Sequence, residues 1–167
     1  MQGVSCRSRK AEKRAVIIGL DMYLEARKYV SGYNFQSDES KQDYRAVCDA
    51  MGMESVENTP SVTVSFNAMY WRKANAIHNW FVNNVQGGND DCRDYYVSYE
   101  QLQELISLCQ ETVDNADPRL LPSVSGFFFG STEYDEWYWE DLRSTIKGLT
   151  EALKKFYGCD FYYQSSW

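Results

Sequence analysis

The segment WYWEDLRSTIKGLTEALKKF (137–156) contains the clearest helical pattern in the chain. Its apolar positions recur at steps of three and four residues and form one stripe: Tyr138, Leu142, Thr145, Ile146, Leu149, Leu153 and Phe156. A helix with a single apolar stripe is stable only when that stripe is buried against other elements. The segment therefore predicts a long helix packed on a core.

The start of this helix overlaps GFFFGSTEYDEWYWEDL (126–142), which combines seven aromatic rings with five carboxylates. Glu133, Asp135 and Glu136 are expected in its first turn, where a carboxylate is favourable by about 0.3–1 kcal/mol. At about 100° per residue, Trp137 points roughly 115° away from the stripe, so its ring is expected either to face solvent or to pack under a neighbouring loop. Asp135 points within about 45° of the stripe. It is therefore expected either to face a groove, with Arg72 or Lys73 as its partner, or to turn back and cap helix amides.

The rest of the chain is divided into short helices and strands by glycine, proline and polar loops. Strands are predicted over 15–27, 61–66, 95–97, the FFF run after Gly126, and 161–167; helices are predicted over 38–51 (ended by Gly52), 68–85, from the Ser98-x-x-Gln101 capping box to Asn115, and after a cap at Ser131 or Thr132. No linker divides the 167 residues. We expect one α+β domain over 15–167, with about four helices packed on a small mixed sheet, preceded by a basic flexible arm over 1–14.

The predicted helix over 68–85 has an apolar stripe on one face and polar residues on the opposite face. The stripe, which is expected to face the core, contains Tyr70, Trp71, Ala74, Ile77, His78, Phe81 and Val85. Arg72, Asn75 and Asn79 form the polar row on the opposite side, with Lys73 and Trp80 on a flank. We expect the start of the last helix to meet this polar flank, because both carry many aromatic and charged residues.

The net charge of −7 is unevenly distributed. Residues 1–14 contain five basic side chains and one acidic one, so the remainder carries about −11. An acidic body repels phosphate backbones, which argues against direct binding to nucleic acid. It is suited instead to attract basic proteins or to imitate nucleic acid as a decoy. Because 16% of the residues are aromatic, some rings are expected at the surface.

No pattern for a metal, a cofactor or a disulfide framework is found. The five cysteines lack CxxC spacing, which argues against bridges and structural zinc and favours a reducing, cytoplasmic setting. The run AVIIGL (15–20) is too short for a secretory core or a membrane span. Asp90 and Asp91 could offer oxygens to Mg²⁺ or Ca²⁺, but calcium-loop spacing is absent and solvated acids are expected. His78 is the single histidine, and we expect it in the core, with pairing to Cys92 or a serine as the alternative.

Several segments taken together resemble a family of small proteins encoded by bacteriophages and prophages. They are GLDMYLEARKYV (19–30), YWRKANAIHNWFVNNVQGGNDDC (70–92), LLPSVSGFFFGSTEYDEWYWEDLRSTI (120–146) and FYYQSSW (161–167). The resemblance implies a phage accessory protein that acts in the host cytoplasm, and it brings no catalytic residues. Family members begin near the GLDMYL segment, so residues 1–18 are interpreted as an extension.

Two functions are compatible with these observations. The first, which we favour, is a non-enzymatic binder of a nucleotide-like small molecule or of a host protein. Its predicted ligand-binding residues are Trp71, Arg72, Lys73, His78, Tyr134, Asp135 and Trp137. The alternative is a metal-assisted hydrolase of nucleotides that uses Asp135, Glu136 or Asp91 with a divalent ion and His78 as acid or base. No membrane partner is expected, and the pattern indicates no oligomeric state.

Overall fold

The computed structural model describes residues 19–56, 58–125 and 131–167. In chain order these form β1 (Asp21–Ser31), α1 (Asp38–Met51), β2 (Ser61–Arg72), α2 (Asn75–Asn84), β3 (Tyr95–Val97), α3 (Tyr99–Asn115), α4 (Glu136–Lys155) and β4 (Asp160–Ser166). The predicted α+β class, with four helices and one small sheet, is confirmed within these ranges. The predicted arm over 1–14 and the FFF strand fall outside them.

The sheet has the order β2-β1-β4-β3, and all three pairings are antiparallel. β1 pairs with β2 from Asp21↔Arg72 to Ser31↔Ser61, with a β-bulge between Leu24 and Glu25. The prediction of a mixed sheet was therefore wrong. Local patterning shows which residues form strands, but strand direction depends on long-range connections that the pattern does not contain.

The core lies on one face of this sheet, beneath the helices. Met22, Leu24 and Ala26 alternate along β1 and are fully buried, as the two-residue period of a strand requires. Leu142 and Leu149 on α4 are buried as well, and α3 packs against α4. Most of the predicted α4 stripe is thus in the core, with Ile146 and Phe156 only partly buried at its edge.

The prediction of a helix over 68–85 was wrong in its first part. β2 continues to Arg72, and α2 begins only at Asn75. Tyr70 and Trp71 pair with Tyr23 and Met22 in the β1–β2 ladder, and this pairing overrides a spacing that is also compatible with a helix. Trp71 is still buried, but from a strand.

Other boundaries differ from the prediction in smaller ways. The first strand covers Asp21–Ser31 instead of 15–27, and Asp135 caps α4 where Ser131 or Thr132 was expected. Asn75 and Trp80, predicted outside the apolar stripe, are both buried. In contrast, α1 has the predicted bounds and ends at Gly52, which adopts the left-handed conformation at φ 64°.

No helix in the described ranges combines the length and the apolar character that a bilayer crossing requires.

The predicted capping box at the start of α3 gives a direct test of local stability. Ser98 Oγ accepts a hydrogen bond from the Gln101 N–H (3.1 Å), and Gln101 Oε1 accepts one from the Ser98 N–H (2.9 Å). We expect Ser98→Ala to lower the free energy of unfolding by about 1 kcal/mol, because it leaves an N-terminal amide unpaired. Urea denaturation would measure this change.

Ser107→Ala is the matched control for this prediction. Ser107 is exposed in the same helix, and its hydroxyl donates to the Gln103 carbonyl oxygen (2.9 Å). Alanine favours the helix interior, so no loss of stability is expected. Equal urea midpoints for Ser98→Ala and the unmodified protein would contradict the role of the capping box.

Candidate functional site

A pocket of about 280 Å³ lies between the β2–α2 turn and the start of α4. Four of the predicted ligand-binding residues line it: Arg72, Lys73, Asp135 and Trp137. The other three, Trp71, His78 and Tyr134, lie outside its lining. The two segments that were expected to meet therefore do meet, although Arg72 and Lys73 reach the pocket from the end of a strand and a turn, not from a helix.

The backbone at Lys73 sets the direction of the first wall. Lys73 has φ 60°, in the left-handed region, where a residue with a Cβ pays roughly 1–2 kcal/mol. Its N–H donates to the Leu20 carbonyl oxygen (2.8 Å), and its own carbonyl oxygen accepts from the Asn75 N–H (2.9 Å). These bonds fix the turn, and the side chains of Arg72 and Lys73 remain exposed beside the pocket.

The second wall is the first turn of α4. Asp135 Oδ1 accepts hydrogen bonds from the N–H groups of Trp137 (3.0 Å) and Tyr138 (3.2 Å). Of the two predicted roles for Asp135, the structure shows the cap, and no ion pair with Arg72 or Lys73 is present in the described part of the chain. The Trp137 side chain is 79% exposed, so of its two expected positions the structure shows the solvent-facing one.

Asn75 contributes a buried polar group that the sequence analysis had placed on a solvated face. The residue is 4% exposed, and its Nδ2 donates to the Ser131 carbonyl oxygen (2.7 Å). Its Oδ1 has no hydrogen-bond partner among the described residues. A buried acceptor without a donor costs about 1–3 kcal/mol, so this wall of the pocket has an unsatisfied hydrogen-bonding capacity.

Asp141 is a second lining residue that the sequence analysis missed. Burial raises the pKa of its carboxyl to about 6, and the nearby charges of Asp135 and Glu140 add to the rise. No hydrogen bond or ion pair to this carboxyl is present within the described ranges. Its position three residues after Tyr138, at the border of the apolar stripe, was the signal that could have identified it.

The two walls differ in charge. Arg72 and Lys73 supply two cations on one side, while the α4 side presents the carboxyl groups of Glu133, Asp135 and Asp141. A ligand that fits both walls carries an anionic group at one end and hydrogen-bond donors at the other.

His78 belongs to a separate buried network. It is 1% exposed; its Nδ1 lies 2.7 Å from the Tyr163 hydroxyl and its Nε2 lies 3.1 Å from Asp90 Oδ2. Trp167 Nε1 also donates to Asp90 (3.1 Å). Burial alone would raise the pKa of Asp90, but the hydrogen bond and charge of His78 outweigh it and lower the pKa. The prediction of a hydrogen-bonded core histidine is confirmed.

The neighbouring acid, Asp91, is engaged in protein contacts. It accepts from the Tyr95 hydroxyl (3.1 Å) and forms an ion pair with Arg93 (2.9 Å). The prediction that Asp90 and Asp91 are merely solvated was therefore wrong, since side chains from α2, from β3 and from Trp167 after β4 bond to them. Across the described residues, no group of three or more His, Cys, Asp or Glu side chains is arranged to hold a metal ion.

The two remaining predicted aromatic residues lie next to the pocket walls. Trp71 Nε1 donates to Thr145 Oγ1 (2.8 Å) in the core, so this indole connects β2 with α4. Tyr134 is 42% exposed, and its ring lies 5.0 Å from that of Tyr138. Trp71 therefore connects the elements behind the pocket through the core, while Tyr134 contacts the lining residue Tyr138.

Comparison of the chain with protein-family models, curated proteins and solved structures found no significant match. The resemblance to phage proteins stays a prediction, and the functional interpretation depends on the geometry of the pocket.

The raised pKa of Asp141 predicts how stability varies with pH. In the folded state the Asp141 carboxyl keeps its proton up to about pH 6, whereas in the unfolded chain it loses the proton near pH 4. The side chain therefore contributes to the free energy of unfolding at low pH, and this contribution is lost as the pH rises through 6. We expect Asp141→Asn to be more stable than the unmodified protein at pH 7.5 and to lose this advantage at pH 4. Allowing for solvent screening of this half-exposed group, the difference is about 1 kcal/mol.

Urea denaturation at a series of pH values would measure this difference. Asp43→Asn, at an exposed position in α1, is the matched control and should show no such dependence. A constant difference between Asp141→Asn and the unmodified protein from pH 4 to 7.5 would show that burial does not affect this carboxyl.

Proposed function

We propose that the protein is a non-enzymatic binder that sequesters a small nucleotide-like ligand in this pocket. The observation that supports the proposal is the presence of three kinds of group at one concave site: an exposed indole, two cations and a buried acceptor that has no partner among the described residues. Concave sites with a few convergent polar groups are the usual places where proteins bind small molecules.

The indole of Trp137 provides a stacking surface for a base. It is 79% exposed at the rim of the pocket, so its face is available without rearrangement of the core. Stacking of a base on an aromatic side chain contributes about 1–3 kcal/mol.

Arg72 and Lys73 provide the groups for a phosphate. Both side chains are exposed beside the pocket, and no described carboxylate forms an ion pair with either of them. A guanidinium group can bind a phosphate through two parallel hydrogen bonds, and an ammonium group adds a positive charge. The volume of about 280 Å³ lies just below the usual range of about 300–1,000 Å³ for small-molecule sites, which favours a mononucleotide over a larger cofactor.

We further propose, from the resemblance to phage proteins, that this binding removes the ligand from a process in the host cytoplasm. The alternative of an acidic decoy has the net charge of −7 as its support. The residues of the hydrolase alternative have other partners: Asp135 caps α4, Glu136 lies 3.2 Å from Arg143, and His78 bonds Tyr163. The pocket therefore favours binding as the first function to test.

Native mass spectrometry of the protein purified from its host cells, compared with its denatured mass, is the direct test. A retained mass in the range of a nucleotide supports sequestration and gives the class of ligand. A bare protein mass, together with no heat signal when nucleoside monophosphates are titrated in calorimetry, would refute the proposal.

The stacking role predicts the effect of Trp137→Ala. Loss of about 1–3 kcal/mol of stacking raises the Kd for a nucleotide roughly 5- to 150-fold. Because the ring is exposed, the midpoint of urea denaturation should hardly change. Isothermal titration calorimetry measures the first effect and circular dichroism the second.

Tyr157→Ala is the matched control for Trp137→Ala. Tyr157 is 86% exposed and lies just beyond the opposite end of α4, outside the lining of the pocket. It should leave both affinity and stability unchanged. Equal Kd values for the two variants, or a large loss of stability in Trp137→Ala, would contradict a role for this ring in binding.

A further inference from the structure

We propose that the pocket selects a ligand whose base presents two adjacent N–H donors, as N1–H and the 2-amino group of guanine do, and discriminates against bases with a ring-nitrogen acceptor at the N1 position, such as adenine. This inference rests on the proposed binding function and deepens it. It follows from the hydrogen-bonding character of two lining residues, Asp141 on the α4 side and Asn75 at the start of α2.

Asp141 offers two acceptors and no donor when it is ionised. In the described part of the chain its carboxyl has no hydrogen-bonding or ion-pair partner, although it is partly buried. A partly buried carboxylate is stabilised when N–H donors reach both of its oxygens. The adjacent N1–H and 2-amino groups of guanine form such a pair of donors.

Asn75 adds an acceptor of defined orientation. Its Nδ2 is already committed to the Ser131 carbonyl oxygen (2.7 Å), so the end of the amide that has no partner among the described residues is Oδ1. Only a donor can satisfy this atom. Because Oδ1 is itself buried, a ligand N–H or O–H satisfies it once the Asn75 amide shifts towards the pocket, whereas a ligand carbonyl or ring nitrogen does not.

The distribution of charge fixes the orientation of the ligand. The phosphate lies towards Arg72 and Lys73, which leaves the base facing the side of α4. There the lone pairs of Asp135 and Asp141 oppose the N1 acceptor of adenine. Sites built to bond a particular N–H or O–H discriminate strongly against analogues that lack it, because their buried polar groups are left without partners.

The pH dependence of nucleotide binding tests the role of the Asp141 carboxyl independently of substitution. Its pKa of about 6 results from burial and from the charges of Asp135 and Glu140. The other ionisable or charged groups lining the pocket are Arg72, Lys73, Glu133 and Tyr138. Below pH 6 the protonated carboxyl loses acceptor capacity. Because the phosphate of every monophosphate also takes up a proton at about pH 6, the readout is the preference for guanosine over inosine monophosphate, which should shrink between pH 7.5 and pH 5. A ligand that needed a donor from Asp141 would show the opposite trend.

The test is calorimetric titration with guanosine, inosine and adenosine 5′-monophosphates at pH 7.5. Inosine monophosphate lacks only the 2-amino group and therefore isolates one of the two donors. We expect guanosine monophosphate to bind about tenfold or more tightly than inosine monophosphate, with adenosine monophosphate weakest. The affinity for guanosine monophosphate should fall about tenfold in Asp141→Asn, which has nearly the same shape, and the preference over inosine monophosphate should shrink.

The possible outcomes separate this inference from the proposed function. Equal binding of the three nucleotides, or an unchanged preference in Asp141→Asn, would overturn the inferred preference for N–H donors. The proposed sequestration of a nucleotide would remain. Failure of all three to bind, together with a bare native mass, overturns both. The Asp43→Asn variant must retain the affinity and preference of the unmodified protein, and urea denaturation of Asp141→Asn confirms that a loss of affinity reflects the site and not unfolding.

Discussion

The position of α4 on the sheet depends on the buried indole of Trp71. This side chain projects from β2 into the core, packs edge-on against Phe81 of α2, and donates its N–H to Thr145 in the middle of α4. One residue thus connects a strand and two helices. Because Arg72 and Lys73 follow it directly, the same contact that anchors α4 also places two cations opposite the first turn of that helix.

Three energetically unfavourable features come together around this pocket. Lys73 adopts a left-handed backbone, Asn75 has an acceptor that no described residue donates to, and the ionised form of Asp141 is disfavoured by burial. Each alone is tolerable in a folded protein, but nothing in the packing of the core requires them to be neighbours. Local violations of the rules for stability concentrate where a protein binds or reacts, since the ligand supplies what the fold lacks.

The sequence predicts those elements whose signals are local. The bounds of α1, the capping box of α3 and the stripe of α4 depend on spacing within a few residues, and they were predicted correctly. The end of β2 could not be predicted in this way. Tyr70 and Trp71 match both a helical and an extended pattern, and the pairing with β1 decides between them.

The same distinction applies to the candidate site. Arg72, Lys73, Asp135 and Trp137 were predicted from their chemistry and indeed line one pocket. His78 was included because it is the single histidine, although its partners Tyr163 and Asp90 place it elsewhere. Asn75 and Asp141 were missed because their importance comes from burial by distant segments, and burial is a property of the tertiary structure.

The place of β4 in the sheet has a consequence for biosynthesis. β4 follows every other described element in chain order, yet it lies between β1 and β3, pairing Asp21 with Ser166 across almost the whole chain. While the ribosome is still making α4, β1 and β3 have no strand between them, and their unpaired edges are open to other chains. Such distant pairing also slows folding, since a long loop must close first. Until β4 is complete, the nascent chain therefore carries strand edges that only its last strand can pair.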